Sequence, residues 1–93
     1  MSKVALITGG TRGIGKQIAL TLSQIGYNIV LNYRNENTEL TELKSEIEKN
    51  NVKCLTVKGD VSNFCDCENF VKEAINEFGN IDVLINNAGI TRD

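Results

Sequence analysis

A glycine-rich turn near the amino terminus has the composition of a phosphate-binding loop. It reads Thr8-Gly9-Gly10-Thr11-Arg12-Gly13-Ile14-Gly15. Glycines between a strand and a helix let the backbone approach a pyrophosphate, whose charge then meets the free N–H groups and dipole of the helix N-terminus. The spacing G-x-x-x-G-x-G differs from the G-x-G-x-x-G of ordinary dinucleotide-binding dehydrogenases. Taken alone, the glycines could simply form a tight turn, but their position between a strand and a helix favours a nucleotide site.

The end of the second apolar run bears on which nicotinamide nucleotide such a site would select. A carboxylate there accepts a hydrogen bond from the ribose 2′-hydroxyl of NAD and repels a 2′-phosphate. This run ends in Leu31-Asn32-Tyr33-Arg34-Asn35, which lacks a carboxylate and supplies a guanidinium. Arg12 and Arg34 could converge on one phosphate, with Lys16 adding positive potential. NADPH is therefore favoured over NADH, unless these three residues are ordinary solvated surface charges.

Four apolar runs of strand length alternate with helical segments. The predicted strands are Lys3–Thr8, Asn28–Tyr33, Val52–Lys58 and Ile81–Asn86. Their nearly continuous apolar character is typical of parallel strands that helices cover on both faces. We therefore predict an α/β fold, a Rossmann-like parallel sheet of about four strands and three helices.

Three helices are predicted from apolar residues recurring at helical spacing. The first has Ile14, Ile18, Leu22 and Ile25 and ends at Gly26, the second has Leu40, Leu43 and Ile47 and ends at Asn50-Asn51, and the third has Phe70, Val71, Ala74, Ile75 and Phe78 and ends at Gly79. Glycine is a common helix stop because it adopts the left-handed conformation at little steric cost.

Right-handed crossovers predict the strand order 3-2-1-4, with helices 1 and 2 on one face and helix 3 on the other. Strand 4, although strongly apolar, then lies at an edge, which natural sheets avoid. We therefore expect residues 1–93 to be the first half of a doubly wound fold, the N-terminal dinucleotide-binding part of a single-domain protein.

Composition excludes several other functions. The chain has 93 residues, of which 41% are hydrophobic and 24% charged. Its net charge of -2 does not favour binding to nucleic acid or to an anionic membrane. Three cysteines and no histidine favour reduced thiols over a disulfide framework and leave a zinc site short of ligands. No metal is expected. No run is long enough for a signal peptide core or a membrane span, so cytoplasm is the expected location.

Three motifs together resemble the short-chain dehydrogenase/reductase family. They are T-G-x-x-x-G-I-G from Thr8, Asp60-Val61 after the third strand and Asn86-Asn87-Ala88-Gly89 after the fourth. They occur in the right order at the strand ends where open parallel sheets bind ligands, and the resemblance covers the whole chain. The continuation into Ile90-Thr91-Arg92-Asp93 is similar to the 3-oxoacyl-[acyl-carrier-protein] reductases within that family.

The resemblance implies a set of cofactor-binding residues. Asp60 and Val61 would contact the adenine, or Asp60 would be a solvent-facing carboxylate. Thr8 and Asn86 would brace the central strands. The residues implied to lie along the phosphates and riboses are Gly9, Gly10, Thr11, Arg12, Gly13, Ile14 and Gly15 of the turn, Arg34 after the second strand, and Asn87, Ala88 and Gly89 after the fourth, where the alternative is a plain turn.

The activity that the resemblance implies is NADPH-dependent reduction of a 3-oxoacyl-[acyl-carrier-protein], in a full-length enzyme that is commonly a homotetramer. Other substrates of NADP-dependent short-chain reductases, such as acetoacetyl-CoA, a sugar or an alcohol, stay open, as does a non-catalytic nucleotide-binding module. The family's chemistry needs a Tyr-x-x-x-Lys pair, whose cation lowers the phenol pKa. Tyr27 is followed by Leu31 and Tyr33 by Asn37 at that spacing, so no catalytic residue is assigned within residues 1–93.

The 93-residue polypeptide is accordingly expected to have no reductase activity by itself. NADPH oxidation with acetoacetyl-CoA, followed by absorbance, should not exceed the rate of a control without protein. A steady rate above that control would contradict the expectation.

Overall fold

A computed structural model describes residues 3–8, 13–34, 38–60 and 63–86. Strands and helices alternate along this part of the chain. In order they are β1 (Val4–Thr8), α1 (Gly13–Gln24), β2 (Asn28–Tyr33), α2 (Thr38–Glu48), β3 (Cys54–Lys58), α3 (Phe64–Phe78) and β4 (Val83–Asn86). None of these helices is long and apolar enough to cross a membrane.

The four strands form one parallel sheet in the order β3-β2-β1-β4, which confirms the predicted topology. β1 is central, and all five of its residues are buried. In the register, Thr8 lies opposite Asn86 and Tyr33 lies opposite Lys58. Because the strands are parallel, all four carboxyl ends lie along the same edge of the sheet, and the loops that follow them meet there.

Two apolar layers, one on each face of the sheet, make up the core. Ala5 and Ile7 of β1 belong to the layer under α1 and α2, whereas Val4 and Leu6 belong to the layer under α3. This alternation follows from the two-residue period of a strand. It confirms the prediction that helices 1 and 2 share one face and helix 3 covers the other.

The apolar stripe predicted for α1 is only partly correct. Ile14 and Ile25 are 63% and 67% exposed, and Ile18 and Leu22 are only partly buried. The face that α1 buries most completely consists of small residues at a spacing of four, Gly15, Ala19 and Ser23. Side-chain size explains the difference, because small residues bring the helix axis close to the sheet and leave larger residues at the sides of the contact.

Ser23 and Asn50 fasten the ends of α1 and α2 together. The Ser23 hydroxyl donates to the Leu20 carbonyl at 2.7 Å and accepts from Asn50 Nδ2 at 2.9 Å. The completely buried hydroxyl thus has both a donor and an acceptor role. Gly26 follows α1 with φ at 101°, a left-handed conformation that confirms it as the predicted helix stop.

Three of the strands begin one or two residues later than predicted. β1 begins at Val4, β3 at Cys54 and β4 at Val83. Just before β4, the Asp82 main chain donates to the Val4 carbonyl at 2.9 Å, while its side chain accepts from the Val4 main chain at 2.8 Å. A carboxylate here replaces a further backbone hydrogen bond, which explains why strand pairing starts after Asp82 rather than at Ile81.

On the α3 face, several large apolar side chains remain open to solvent. Phe64 is 78% exposed, Leu84 of β4 61% and Ile75 47%. Within the predicted apolar stripe of α3, Phe70 and Ala74 are buried, but Ile75 is not, which corrects that prediction. Ile75 is turned away from the helix face that carries Phe70 and Ala74. Its side chain therefore lies beside the contact between α3 and the sheet.

Cys54 lies in the core between β3 and the helices α1 and α2, where it is 6% exposed. Burial raises the pKa of its thiol to about 12, and the charge of Glu48 adds to this effect while Lys44 opposes it. The folded protein therefore holds the thiol neutral at a pH where an unfolded chain would ionise it.

This difference predicts a loss of stability at alkaline pH. Below about pH 9 the thiol is protonated in both states, and between about pH 9 and about pH 12 only the unfolded state releases its proton, which favours unfolding. Cys54→Ala should be less stable than the wild type near neutral pH, since it loses packing, but the gap should narrow by roughly 1.4 kcal/mol per pH unit above pH 9. Denaturant unfolding at several pH values measures the gap, and a constant gap would contradict this account.

Candidate functional site

The carboxyl edge of the sheet gathers polar groups from all four strands. Thr8 ends β1, Arg34 follows β2, Gly59 and Asp60 follow β3, and Asn86 ends β4. The amino ends of all three helices face the same edge, because each helix follows a strand that ends there. Strand ends and helix dipoles therefore converge on one side of the molecule, the position at which open parallel sheets bind ligands.

The first turn of α1 is arranged for an anion. Gly13 begins the helix with φ at 65°, a conformation that a side chain would strain. Acidic residues occupy the first turns of α2 and α3, but the first turn of α1 has none. It contains Lys16 instead, although a cation there opposes the helix dipole. A bound phosphate group would relieve that opposition.

Ile14 has a different place from the one that its periodicity suggested. Its side chain is 63% exposed at the start of α1, whereas Gly15 beside it is buried. An exposed isoleucine next to the helix N-terminus does not contribute to the core. It is available to pack against an apolar part of a ligand held at that terminus.

Thr8 and Asn86 connect β1 to β4 at this edge. The Thr8 hydroxyl donates to Asn86 Oδ1 at 3.1 Å and lies 3.4 Å from the carbonyl oxygen of Ile85. The two residues are also paired in the sheet register. They therefore brace the central strands, as the resemblance implied, and fix where the chain leaves β4.

Between β2 and β3, the edge is held by a set of hydrogen bonds. The Gly59 main chain donates to the Tyr33 carbonyl at 2.8 Å, and Asn32 Nδ2 donates to the Gly59 carbonyl at 3.3 Å. A side chain at position 59 would meet Cβ of Asp66 at 3.2 Å, so glycine lets α3 approach the end of β3 closely. These contacts give residue 59 and its successor a fixed position.

Asp60 is the next residue, and its main chain is held from two sides. Its N–H donates to Asp66 Oδ2 at 2.9 Å, and its carbonyl accepts from the Asn63 N–H at 2.8 Å. Its carboxylate Oδ2 lies 3.9 Å from Arg34 Nε. The two side chains are 44% and 72% exposed, so the ion pair that they form is open to solvent.

Of the predicted site residues, Gly13, Ile14, Gly15, Arg34 and Asp60 lie at this edge. The other predicted residues lie outside the described part of the chain, namely Gly9, Gly10, Thr11, Arg12, Val61, Asn87, Ala88 and Gly89. The convergence of Arg12 and Arg34 therefore stays a prediction. Within the described part, Arg34 has Asp60 as a partner, a contact that was not predicted.

Sequence reasoning missed three residues that shape the site: Asn32, Gly59 and Asp66. Asn32 is 6% exposed and directly follows the apolar residues Ile29, Val30 and Leu31, which was a usable signal because buried amides need partners. Asp66 could have been suspected as an acidic residue in a helical first turn. The role of Gly59 depends on how closely α3 approaches the end of β3, and no sequence pattern predicts that distance.

The residues present fit the phosphate and adenosine parts of a dinucleotide. A helix N-terminus without acidic residues suits a pyrophosphate, and a guanidinium beyond β2 suits a further phosphate. The described residues include no group of three or more acidic, cysteine or histidine side chains that could hold a metal ion.

Comparison with known proteins gives matches along nearly the whole chain. The family model described as short chain dehydrogenase matches residues 3–93. This chain is 40% identical to the 3-oxoacyl-[acyl-carrier-protein] reductase FabG of Staphylococcus epidermidis and 41% identical to that of Staphylococcus aureus, in both cases over 93 residues. All of this chain is covered in both alignments, and the chain spans 38% of the length of each of these relatives.

Solved structures match the fold as well. A short-chain dehydrogenase/reductase from Sinorhizobium meliloti superimposes with a TM-score of 0.89 at 30% identity, over 98% of this chain and 42% of that protein. An NADH-dependent reductase, A1-R′, solved in complex with NAD, has a TM-score of 0.83 at 29% identity, over 91% of this chain and 35% of that protein.

The N-terminus of α3 supports the edge and can be tested directly. Asn63 is its N-cap, and its side chain accepts hydrogen bonds from the main chains of Cys65 and Asp66. Asn63→Ala should lower the free energy of unfolding by about 1 kcal/mol and the melting temperature by roughly 4–8 °C. Asn69→Ala, at an exposed position inside the same helix, is the matched control and should not lower stability. Equal effects of the two substitutions in calorimetry would refute the capping role.

Proposed function

Since the chain belongs to the short-chain dehydrogenase family, we propose that it is part of an oxidoreductase and that residues 1–93 bind NADPH in the whole enzyme. The carboxyl edge of the sheet is the proposed site. One observation carries the proposal. The first turn of α1 has no acidic residue, and the guanidinium of Arg34 lies just beyond β2 at the same edge of the sheet.

In this proposal the pyrophosphate lies at the N-terminus of α1. Gly9, Gly10, Thr11, Arg12 and Gly13 line it, and Gly15, which is buried on the face of α1 that packs on the sheet, lets the helix begin close to the strand ends. The main-chain N–H groups of the first helical turn donate to it, since they have no partners within the helix. Ile14 lies along the phosphates and ribose, and Lys16 adds positive potential.

The adenosine end is assigned to the ends of β2 and β3. Arg34 donates to the 2′-phosphate, and no carboxylate ends β2 to accept a hydrogen bond from an unphosphorylated ribose. Asp60 and Val61 contact the adenine, and Asn87, Ala88 and Gly89 pass beside the adenosine ribose. Of these features, the Arg34 contact and the missing carboxylate support a preference for NADPH over NADH.

When bound, the dinucleotide supplies the hydride for reduction of a carbonyl. The residues described above bind and orient it, and none of them donates a proton to substrate. The chain therefore contributes binding and positioning, and the proton must come from a group elsewhere in the whole enzyme.

The substrate that we propose for the whole enzyme is a 3-oxoacyl-[acyl-carrier-protein], reduced to its 3-hydroxyacyl form in fatty acid synthesis. Two staphylococcal relatives with that name, 40% and 41% identical over the full length of this chain, support it. A cytoplasmic enzyme fits the three free cysteines, Cys54, Cys65 and Cys67. From the resemblance of the motifs to the short-chain dehydrogenase/reductase family, we also propose that the whole enzyme is a homotetramer.

The nucleotide preference is tested by titrating the chain with NADPH and NADH, monitored by calorimetry, with and without Arg34→Ala. The wild type should bind NADPH more tightly, and the substitution should weaken NADPH binding about tenfold or more while sparing NADH, as expected for loss of a hydrogen bond between charged groups. Lys53→Ala removes the same charge before β3, at the opposite edge of the sheet, and should leave both affinities unchanged. Equal affinities for the two nucleotides in the wild type would refute the NADPH assignment.

A further inference from the structure

The absence of a carboxylate at the end of β2 does not leave Arg34 without a negative partner. In the sheet register Tyr33 pairs with Lys58, so the residues that leave β2 and β3 next are neighbours. Asp60, the second residue after β3, places its Oδ2 3.9 Å from Arg34 Nε. The neighbouring strand thus supplies a carboxylate where β2 has none.

The main chain of Asp60 is held by hydrogen bonds on both sides. Its N–H donates to Asp66 Oδ2 at 2.9 Å, its carbonyl accepts from the Asn63 main chain at 2.8 Å, and the preceding Gly59 is tied to β2 by two hydrogen bonds. Arg34, in contrast, extends a side chain that is 72% exposed. The main chain that carries the Asp60 carboxylate is therefore fixed, whereas the Arg34 guanidinium lies at the end of a long and more exposed side chain.

Two anions then compete for one guanidinium when a 2′-phosphate arrives. The Asp60 carboxylate neutralises part of the Arg34 charge before the ligand binds, and it repels the phosphate as the phosphate approaches. Neither effect acts on a ribose with a free 2′-hydroxyl to the same extent, because that group has no charge. The net selection for phosphate is thus smaller than Arg34 alone would provide.

We propose that Asp60 is a specificity-determining residue, which weakens selection for the 2′-phosphate through its ion pair with Arg34. The inference rests on the proposed nucleotide function and adds a residue just after β3 to a selectivity that is otherwise assigned to the end of β2. The two effects of the carboxylate, neutralisation and repulsion, outweigh any benefit from orienting Arg34, since the exposed pair restrains that side chain only weakly.

The test compares 2′,5′-ADP with 5′-AMP, which differ only in the 2′-phosphate and occupy the adenosine end of the site. NMR titration of the whole chain measures both dissociation constants. The titration is done at low ionic strength, because salt then screens the charges of Asp60, Arg34 and the phosphate only weakly. The wild type should bind 2′,5′-ADP more tightly. Asp60→Asn should strengthen the preference for 2′,5′-ADP. The ratio of the dissociation constant for 5′-AMP to that for 2′,5′-ADP should rise about twofold to fivefold, the range for an exposed ion pair.

Two further variants isolate the ion pair. In an Arg34→Ala background, Asp60→Asn should change the ratio much less than it does in the wild type, because the partner that it neutralises is gone. Glu46→Gln removes the same charge from an exposed position near the carboxyl end of α2, which lies at the opposite edge of the sheet, and should leave the ratio unchanged.

The outcomes separate this inference from the function on which it rests. If the wild type prefers 2′,5′-ADP but Asp60→Asn leaves the ratio unchanged, or weakens both ligands equally, Asp60 does not set selectivity and the inference is wrong. A lower ratio in Asp60→Asn would show that the carboxylate orients Arg34, which also overturns it. Equal binding of the two ligands by the wild type, or binding of neither, would refute the proposed function and the inference together.

Discussion

The parallel pairing of β1 with both of its neighbours is the constraint on which the rest of this structure depends. β1 is buried on both faces and hydrogen-bonded on both sides, to β2 and to β4. Since its neighbours run in the same direction, each connection must cross back over the sheet through a helix. Every strand therefore ends at one edge and every helix begins there, which assembles the candidate site before any particular side chain is considered.

The same constraint determines how tightly the helices pack. α1 must lie over a sheet that presents Ala5 and Ile7 on its face, and it does so with Gly15, Ala19 and Ser23. The close approach has a consequence at the amino end of the helix. Ile14 is displaced to the side of the contact, where it is exposed beside the strand ends rather than buried in the core.

Much of the fold could be predicted from the sequence, because the decisive signals are local. The continuous apolar runs gave the strands, Gly26 and Gly79 gave two helix ends, and crossover handedness gave the order of strands. The predicted buried face of α1 was only partly correct, because the periodicity of large apolar residues does not take account of small buried residues. The start of β4 was predicted too early because the side chain of Asp82 takes the place of a backbone partner.

The candidate site was less predictable, because it depends on contacts between residues far apart in sequence. Arg34 could be identified from the end of one strand, yet its pairing with Asp60 requires the register of β2 with β3 and the fixed turn that Gly59 and Asp66 create. The sequence rule for nucleotide selectivity examines a single strand end. In a parallel sheet, however, adjacent strand ends share the same space, so the charge that a ligand encounters is the sum over neighbouring strands. A carboxylate just after β3 can then offset a guanidinium just after β2, and under the proposed function nucleotide selectivity is a property of the sheet edge rather than of one residue.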